Sequence, residues 1–392
     1  MAEPSTAAAP GERVDVWAVP GQDRAARVLA SAATQAVGHA WALLGPAGVG
    51  QEQLAGALTA ALCCDHGEAG VACGACDTCR RALRGAHPAL QTFAPTGSAH
   101  RVDDVRRTWL PAVYRSAPHW KVLRVVDADR LNLAAANAFL KALEEPPPHT
   151  VWLLDVADPD ELPDTVLSRC RQLRLATPTT ETLDAEARRL GVADPDDRRL
   201  AVRMARGSPR RLAHLADGGL ERVRAHRDLL ARLRREGQGA ALLAWRDLQA
   251  EIDANVQAVK QQLRQEQADL AAAHGDEPPP VVAKELSERA GRREREARLE
   301  VLQAALDDLL AWVRDALVVQ AGGDPGDAAH VDAPDALRED AAAMSASDLL
   351  WAADRIQRTR DDLERNVQAQ LAIEALLLEL AARQLAAASR RG

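Results

Sequence analysis

The chain has 392 residues, 47% hydrophobic and 27% charged, with a formal net charge of -8 at pH 7. That length allows two or three domains with buried cores, and the composition is that of a soluble globular protein. The acidic balance excludes wholesale coating of nucleic acid while allowing a local basic face, and no apolar run approaches the ~20 residues of a membrane span.

In chain order, residues 1–13 are rich in Ala, Pro, Ser and Thr and lack an apolar h-region. A short disordered tail is expected there rather than a signal peptide, and with it a cytoplasmic location. Between about 17 and 175, short apolar runs alternate with helical patterns. Runs at 41–44, 91–93, 122–126, 151–154 and 172–175 read as buried strands, and 51–62 and 133–145 as helices between them. This alternation predicts an α/β domain, a doubly wound parallel sheet, over 14–177. Glu144-Glu-Pro-Pro-Pro148 ends the second helix sharply, because prolines cannot continue it.

From Pro178 no strand pattern returns. Residues 178–218 read as a small helical domain broken at Gly191 and at Gly207-Ser-Pro209, and 219–392 as a longer all-α domain. There Leu299, Leu302, Leu306, Leu309, Val313 and Leu317 form one apolar stripe, and Leu363, Val367, Leu371, Ala375 and Leu378 suggest a second. Loops are expected at Gly275-Asp-Glu-Pro-Pro-Pro280 and over 321–335. The charged stretch 285–298 reads as a solvated helix face or an exposed helical extension.

Four motifs carry chemistry. Gly45-Pro-Ala-Gly48-Val-Gly50 has the glycine frame of a phosphate-binding loop, but Gln51 and Glu52 stand where Lys and Ser/Thr are required. The lysine would neutralise phosphates and the hydroxyl would bind Mg²⁺; an amide and a carboxylate do neither, and Glu52 repels phosphate. Val122-Leu-Arg-Val-Val-Asp127 has the layout of a Walker B strand, with Asp127 as the metal-directed carboxylate. Ala128 follows where a water-activating Glu is needed. Both catalytic positions are damaged in one chain.

Five of six cysteines lie between Cys63 and Cys79, which in a reducing compartment favours metal over disulfides. Cys64, Cys73, Cys76 and Cys79, spaced C-x8-C-x2-C-x2-C with Gly70 and Gly74 in the loop, suit tetrahedral zinc with no position left for water, hence a structural site. Adjacent cysteines point in different directions, so only one of Cys63 and Cys64 ligates. Cys170 reads as a packed side chain. Arg80, Arg81 and Arg84 lie nearby without the aromatic cluster on which single-strand binders stack bases, which argues against a nucleic-acid-gripping zinc ribbon. Finally, Ser168-Arg169-Cys170 precedes the last strand. An arginine there can enter a neighbour's nucleotide site and offset γ-phosphate charge. An ordinary surface arginine reads the same way in a chain with 49 basic residues.

The segment Asn132-Leu-Ala-Ala-Ala-Asn137-Ala-Phe-Leu-Lys141-Ala-Leu-Glu144-Glu145-Pro146-Pro147 resembles the stretch after Walker B in bacterial clamp-loader subunits. Ser168-Arg169-Cys170 is similar to their Ser-Arg-Cys motif, and the cysteine insertion lies where their zinc module does. Gly207-Ser-Pro-Arg210 resembles the sensor-two segment, and Val19-Pro-Gly21-Gln22 the box near the adenine site. The Arg and Ala richness is similar to high-GC actinobacterial members.

The resemblance implies an AAA+ sheet domain with a zinc module at 63–79, a helical lid and a helical collar for oligomerisation. It implies Cys64 rather than Cys63 as zinc ligand, no functional ATP site and no intrinsic ATPase, since lost Walker chemistry marks the non-hydrolysing branch. Arg169 then acts in trans as an arginine finger in a neighbouring gamma/tau ATP site. Implied partners are the gamma/tau and delta subunits, with the sliding clamp and primed DNA reached through the assembly in replication. Val156-Ala157 stands where active relatives carry polar sensor-one residues, which fits inactivity, and Arg210 is left for packing or a salt bridge. The competing expectation is a divergent active ATPase of the gamma/tau type, which requires Gln51 and Glu52 to hold Mg·ATP. The collar is longer than usual, leaving 250–300 without a role.

Overall fold

The structure, a computed structural model, describes residues 14–389 apart from 96, 98, 116–119, 275–279 and 365–366. The expected tail at 1–13 and most of the Gly275–Pro280 turn lie outside the described residues. The chain divides into two compact units: the first runs to 193 and includes 205–214, and the second comprises 194–204 and the residues from 215 onward.

The first unit runs α1 (Asp23–Thr34), β1 (Ala40–Leu44), α2 (Gln51–Cys63), α3 (Asp77–Leu83) and β2 (Leu90–Phe93), then β3 (Lys121–Val125), α4 (Leu133–Glu144), β4 (Thr150–Val156), α5 (Asp164–Leu167) and β5 (Arg171–Arg174). The five strands form one parallel sheet in the order β2-β3-β4-β1-β5. Every apolar run expected as a strand is one, within two residues at its ends. The runs are unbroken because β1, β3 and β4 are buried along their whole length, as in a parallel sheet covered on both faces.

Successive strand residues alternate between two cores. Val122 packs with Leu29, Leu43, Leu54 and Leu58 on the face carrying α1 and α2. Leu123 packs on the other face with Trp109, Phe139 and Trp152, where Phe139 meets Trp152 edge-on at 4.6 Å. Helix α2 is apolar nearly all round and correspondingly buried. In such open sheets the carboxyl ends of the central strands form the ligand crevice. Here the residues after β1, β3 and β4 meet at that edge.

Residues 178–218 are divided between the two units. Helices α6 (Thr180–Arg189) and, further on, Pro209–His214 belong to the sheet unit. Between them in sequence, α7 (Pro195–Ala205) belongs almost wholly to the second unit, where Arg203 Nη1 donates to the Ala328 carbonyl at 2.8 Å. With Pro209–His214 as α8, the second unit continues with α9 (Leu220–Glu236), α10 (Gln238–His274), α11 (Pro280–Gln320), α12 (Pro334–Ala343), α13 (Ala346–Glu364) and α14 (Ala369–Ser389).

The stripe on α11 is as expected: Leu302, Leu306, Leu309 and Val313 are buried, with Leu299 and Leu317 packed beside them. The second stripe fails. Helix α13 ends at Glu364 and α14 begins at Ala369, so the phase does not carry through. Val367, Leu371 and Leu378 are exposed, at 46%, 58% and 38%, while Ile373, Leu376, Leu377 and Leu380 are buried. Because α14 is apolar on most sides, packing against α10 and α13, not spacing, selects its inner face. Much of the charged 250–300 stretch lies on α10 and α11, which run side by side. Asn255 Nδ2 donates to the Ala297 carbonyl at 2.9 Å, and Lys260 pairs with Glu294 at 3.3 Å.

Candidate functional site

The loop after β1 keeps a phosphate-binding shape for reasons visible in its packing. Gly48 has φ +80°, and a Cβ there would fall 2.5 Å from Ser208 Oγ. Gly50 has φ +138°, and its Cβ would fall 2.8 Å from Gln22 Cγ. Both positions lie in the region open chiefly to glycine. Ser208 Oγ donates to the Gly48 carbonyl at 3.0 Å. Gln22 Nε2 donates to the carbonyls of Val49 and Ala176 at 2.8 and 2.7 Å, and its Oε1 accepts from the Ala176 N–H at 3.2 Å. The glycine frame is thus required by its own neighbours.

Gln51, 2% exposed, folds back on the loop: Nε2 donates to the Pro46 carbonyl at 2.7 Å and to that of Gly45 at 3.3 Å. Its Oε1 is buried without a partner among the described residues. Glu52, in the first turn of α2, stands 3.9 Å from Arg210. Asp127 lies just beyond β3 in a left-handed conformation, φ 49°, with Arg130 at 3.9 Å. His100 Nε2 lies 2.7 Å from the Val126 carbonyl, holding the backbone that presents Asp127.

Between these groups lies a cleft of about 50 Å³, lined by the loop, Asp127, Val156, Ala157, Arg210 and a buried ion pair. That volume is room for a few water molecules. In the pair, Arg124 Nη2 and Nε reach Asp155 Oδ2 at 2.7 and 2.9 Å. Burial pushes the Asp155 carboxyl above its usual range, with Arg124 opposing the shift. Each arginine lining the cleft therefore stands beside a carboxylate, whereas triphosphate binding calls for positive charge directed at the ligand. Motif spacing does not single out this pair, although a signal for it is present. Single opposite charges interrupt two neighbouring apolar strands, Val122-Leu-Arg-Val-Val126 and Trp152-Leu-Leu-Asp-Val156.

The cysteines converge. Sγ atoms of Cys64, Cys73, Cys76 and Cys79 all lie within 4.8 Å of one another, with Cys64–Cys76 and Cys73–Cys79 at 3.9 Å. A zinc tetrahedron with Zn–S bonds of about 2.3 Å has edges of about 3.8 Å, so the group fits the metal. Backbone N–H groups of Cys73, Cys76 and Cys79 donate to the sulfurs of Cys64, Cys73 and Cys76, each at 3.4 Å, the outer-shell support thiolate ligands use. The Ala75 backbone lowers the Cys73 thiol to about 6, while burial pushes Cys76 and Cys79 up. Cys63, raised to about 11 by burial, is outside the group. Cys170, raised to about 12 by burial, packs against the far face of the sheet.

Arg169 does not line its own chain's cleft. It follows α5, with Nη1 donating to the Thr165 carbonyl at 2.7 Å and Nε bonded to Glu144, the last residue of α4.

Residues 21–179 match the family described as DNA polymerase III, delta subunit, and residues 297–382 match DNA polymerase III, delta subunit, C terminal. These two matches, with the delta' relatives below, support a DNA polymerase III subunit of the delta-prime type. It is 35% identical over 192 residues to DNA polymerase III subunit delta' of Pseudomonas aeruginosa, covering 48% of this chain and 58% of that protein. To subunit delta' of Escherichia coli it is 35% identical over 174 residues, 44% of this chain and 52% of that protein. Subunit tau of Escherichia coli is 32% identical over 206 residues, 51% of this chain and 32% of that protein. The chain thus spans between a third and three-fifths of the length of these relatives. No described helix is long and apolar enough to cross a membrane.

Proposed function

We propose that this chain is a non-hydrolysing member of the clamp loader, a rigid cytoplasmic scaffold that lends Arg169 to the ATP site of a neighbouring gamma/tau subunit. The observation that carries this reading is Gln51. Where a lysine must reach the phosphates, an amide is tied to the loop's own carbonyls, and the next residue is a carboxylate beside Arg210. A loop held this way keeps its shape without supplying charge to a nucleotide. Asp127 lies at the same edge as a remnant of the metal-binding strand.

Arg169 has the complementary properties. It is always charged, planar, partly exposed and outside its own cleft. In a neighbour's site such a guanidinium offsets charge developing on the transferred phosphoryl group. Four thiolates at Cys64, Cys73, Cys76 and Cys79 would hold a structural zinc, which cross-links the insertion between α2 and α3. In this reading 178–218 serves as lid and 219–392 as collar, meeting gamma/tau and delta subunits and acting on the sliding clamp and primed DNA through the assembly.

The test is ATP binding and turnover by the purified chain, alone and mixed with its organism's gamma/tau subunit. No binding alone is expected, with turnover in the mixture that falls by about 10³–10⁵ in Arg169→Ala. Turnover by the chain alone, lost on mutating residues 45–52, would overturn the scaffold reading in favour of a divergent active ATPase. Unchanged turnover in the Arg169→Ala mixture would remove the finger.

A further inference from the structure

Resting on the reading of Arg169 as a finger, we propose that Glu144 is its positioning residue, fixing which edge of the guanidinium faces the neighbouring subunit. Arg169 is held at two of its three nitrogens: Nε by Glu144 Oε1 and Nη1 by the Thr165 carbonyl at 2.7 Å. Nη2 has no partner among the described residues, which leaves it as the nitrogen free to meet a phosphoryl group. A long, rotamer-rich side chain is thereby reduced to one orientation before any neighbour arrives, and little ordering remains to be done at docking.

The setting of Glu144 supports a role beyond stability. It is the last residue of α4, where the helix dipole disfavours a carboxylate. After Glu145, Pro146, Pro147 and Pro148 stop the helix, so it cannot extend by another turn. The adjacent Glu145, equally acidic and exposed, makes no ion pair among the described residues, so the contact is selective. Side chains of Arg169 and Glu144 are 36% and 43% exposed, and a pair so open to water contributes little to folding. Its value is geometric: two anchors, one at the end of α4 and one on the short α5, hold the guanidinium plane that must meet a phosphoryl group.

The experiment reconstitutes the clamp-loader assembly with full-length chain carrying Glu144→Ala, Glu144→Gln, Arg169→Ala or both alanines. It reads kcat and KM for ATP in the presence of clamp and primed DNA, with sedimentation to confirm assembly. Glu144→Ala should lower kcat by about 10- to 100-fold, the scale of a small misplacement, with KM and assembly unchanged. Glu144→Gln should recover most of the rate, because its Oε1 still accepts from Nε. The double variant should be no slower than Arg169→Ala alone, since two residues acting through one group are not additive. An unchanged kcat in Glu144→Ala, or a further loss in the Arg169→Ala background, overturns the positioning role. A raised kcat does so too, making the pair a latch. If Arg169→Ala itself leaves turnover unchanged, the finger reading fails first and Glu144 with it.

Discussion

Arg124 and Asp155 form an ion pair between β3 and β4 at the carboxyl edge of the sheet, with their side chains only 11% and 8% exposed. Folding takes the two charges out of water together, and removing one strands the other. Asp155→Ala should therefore cost about 3–5 kcal/mol by chemical denaturation, whereas Arg124→Leu with Asp155→Ala should recover most of it. A single-site loss below ~1 kcal/mol would mean that water already screens the pair.

The glycine frame should be as sensitive to packing as to any ligand. Gly48→Ala meets both a left-handed backbone and Ser208 Oγ, while Gly191, φ +88°, has nothing within 4 Å of a Cβ. Gly191→Ala should cost about 1–2 kcal/mol from backbone strain alone. Gly48→Ala should cost measurably more in the same denaturation assay, and equal costs would show that Ser208 yields freely.

The cysteine cluster predicts one zinc per chain by metal analysis of protein purified without added metal. Cys76→Ser should lose it and loosen the 64–83 segment, because a structural zinc contributes directly to folding of the module it closes. Cys63→Ser and Cys170→Ser should retain it. Loss of zinc in Cys63→Ser would move the ligand set by one residue.

His100 makes the sheet unit sensitive to mild acid. It is fully buried, and burial holds its ring below its ordinary value of 6.5, although the Val126 carbonyl and nearby Asp127 oppose the shift. The unfolded ring gains its proton first as pH falls. The stability His100 confers is thus complete above about pH 6.5 and is lost below it, by at most about 1.4 kcal/mol per pH unit. Melting between pH 7.5 and 5.5 should show this slope, and His100→Gln should flatten it. An identical slope in the variant would assign the effect to other groups.

The parts of this protein written in local spacing are legible from its residues alone. Five strands are readable because a parallel sheet buried on both faces demands unbroken apolar runs. The Gly45–Gly50 frame and the four-cysteine loop are readable because turn chemistry and metal ligation fix residue types a few positions apart. The α14 face is not, since a helix apolar on most sides carries no phase, and only its neighbours select Ile373, Leu376 and Leu380 for burial. Likewise the 178–218 stretch reads as one body by composition but is shared between two units by packing.

The decisive contacts of the candidate sites also need the fold. Arg124 and Asp155 are 31 positions apart, Glu144 and Arg169 are 25, and Ser208 reaches Gly48 across 160. The sequence by itself determined which chemistry is missing from the loop: no arrangement turns Gln51 and Glu52 into a lysine and a hydroxyl. Only the tertiary structure decided what the remaining groups do instead. Charge pairing depends on strand register and on which helix ends meet, and neither is encoded in the spacing of neighbouring residues.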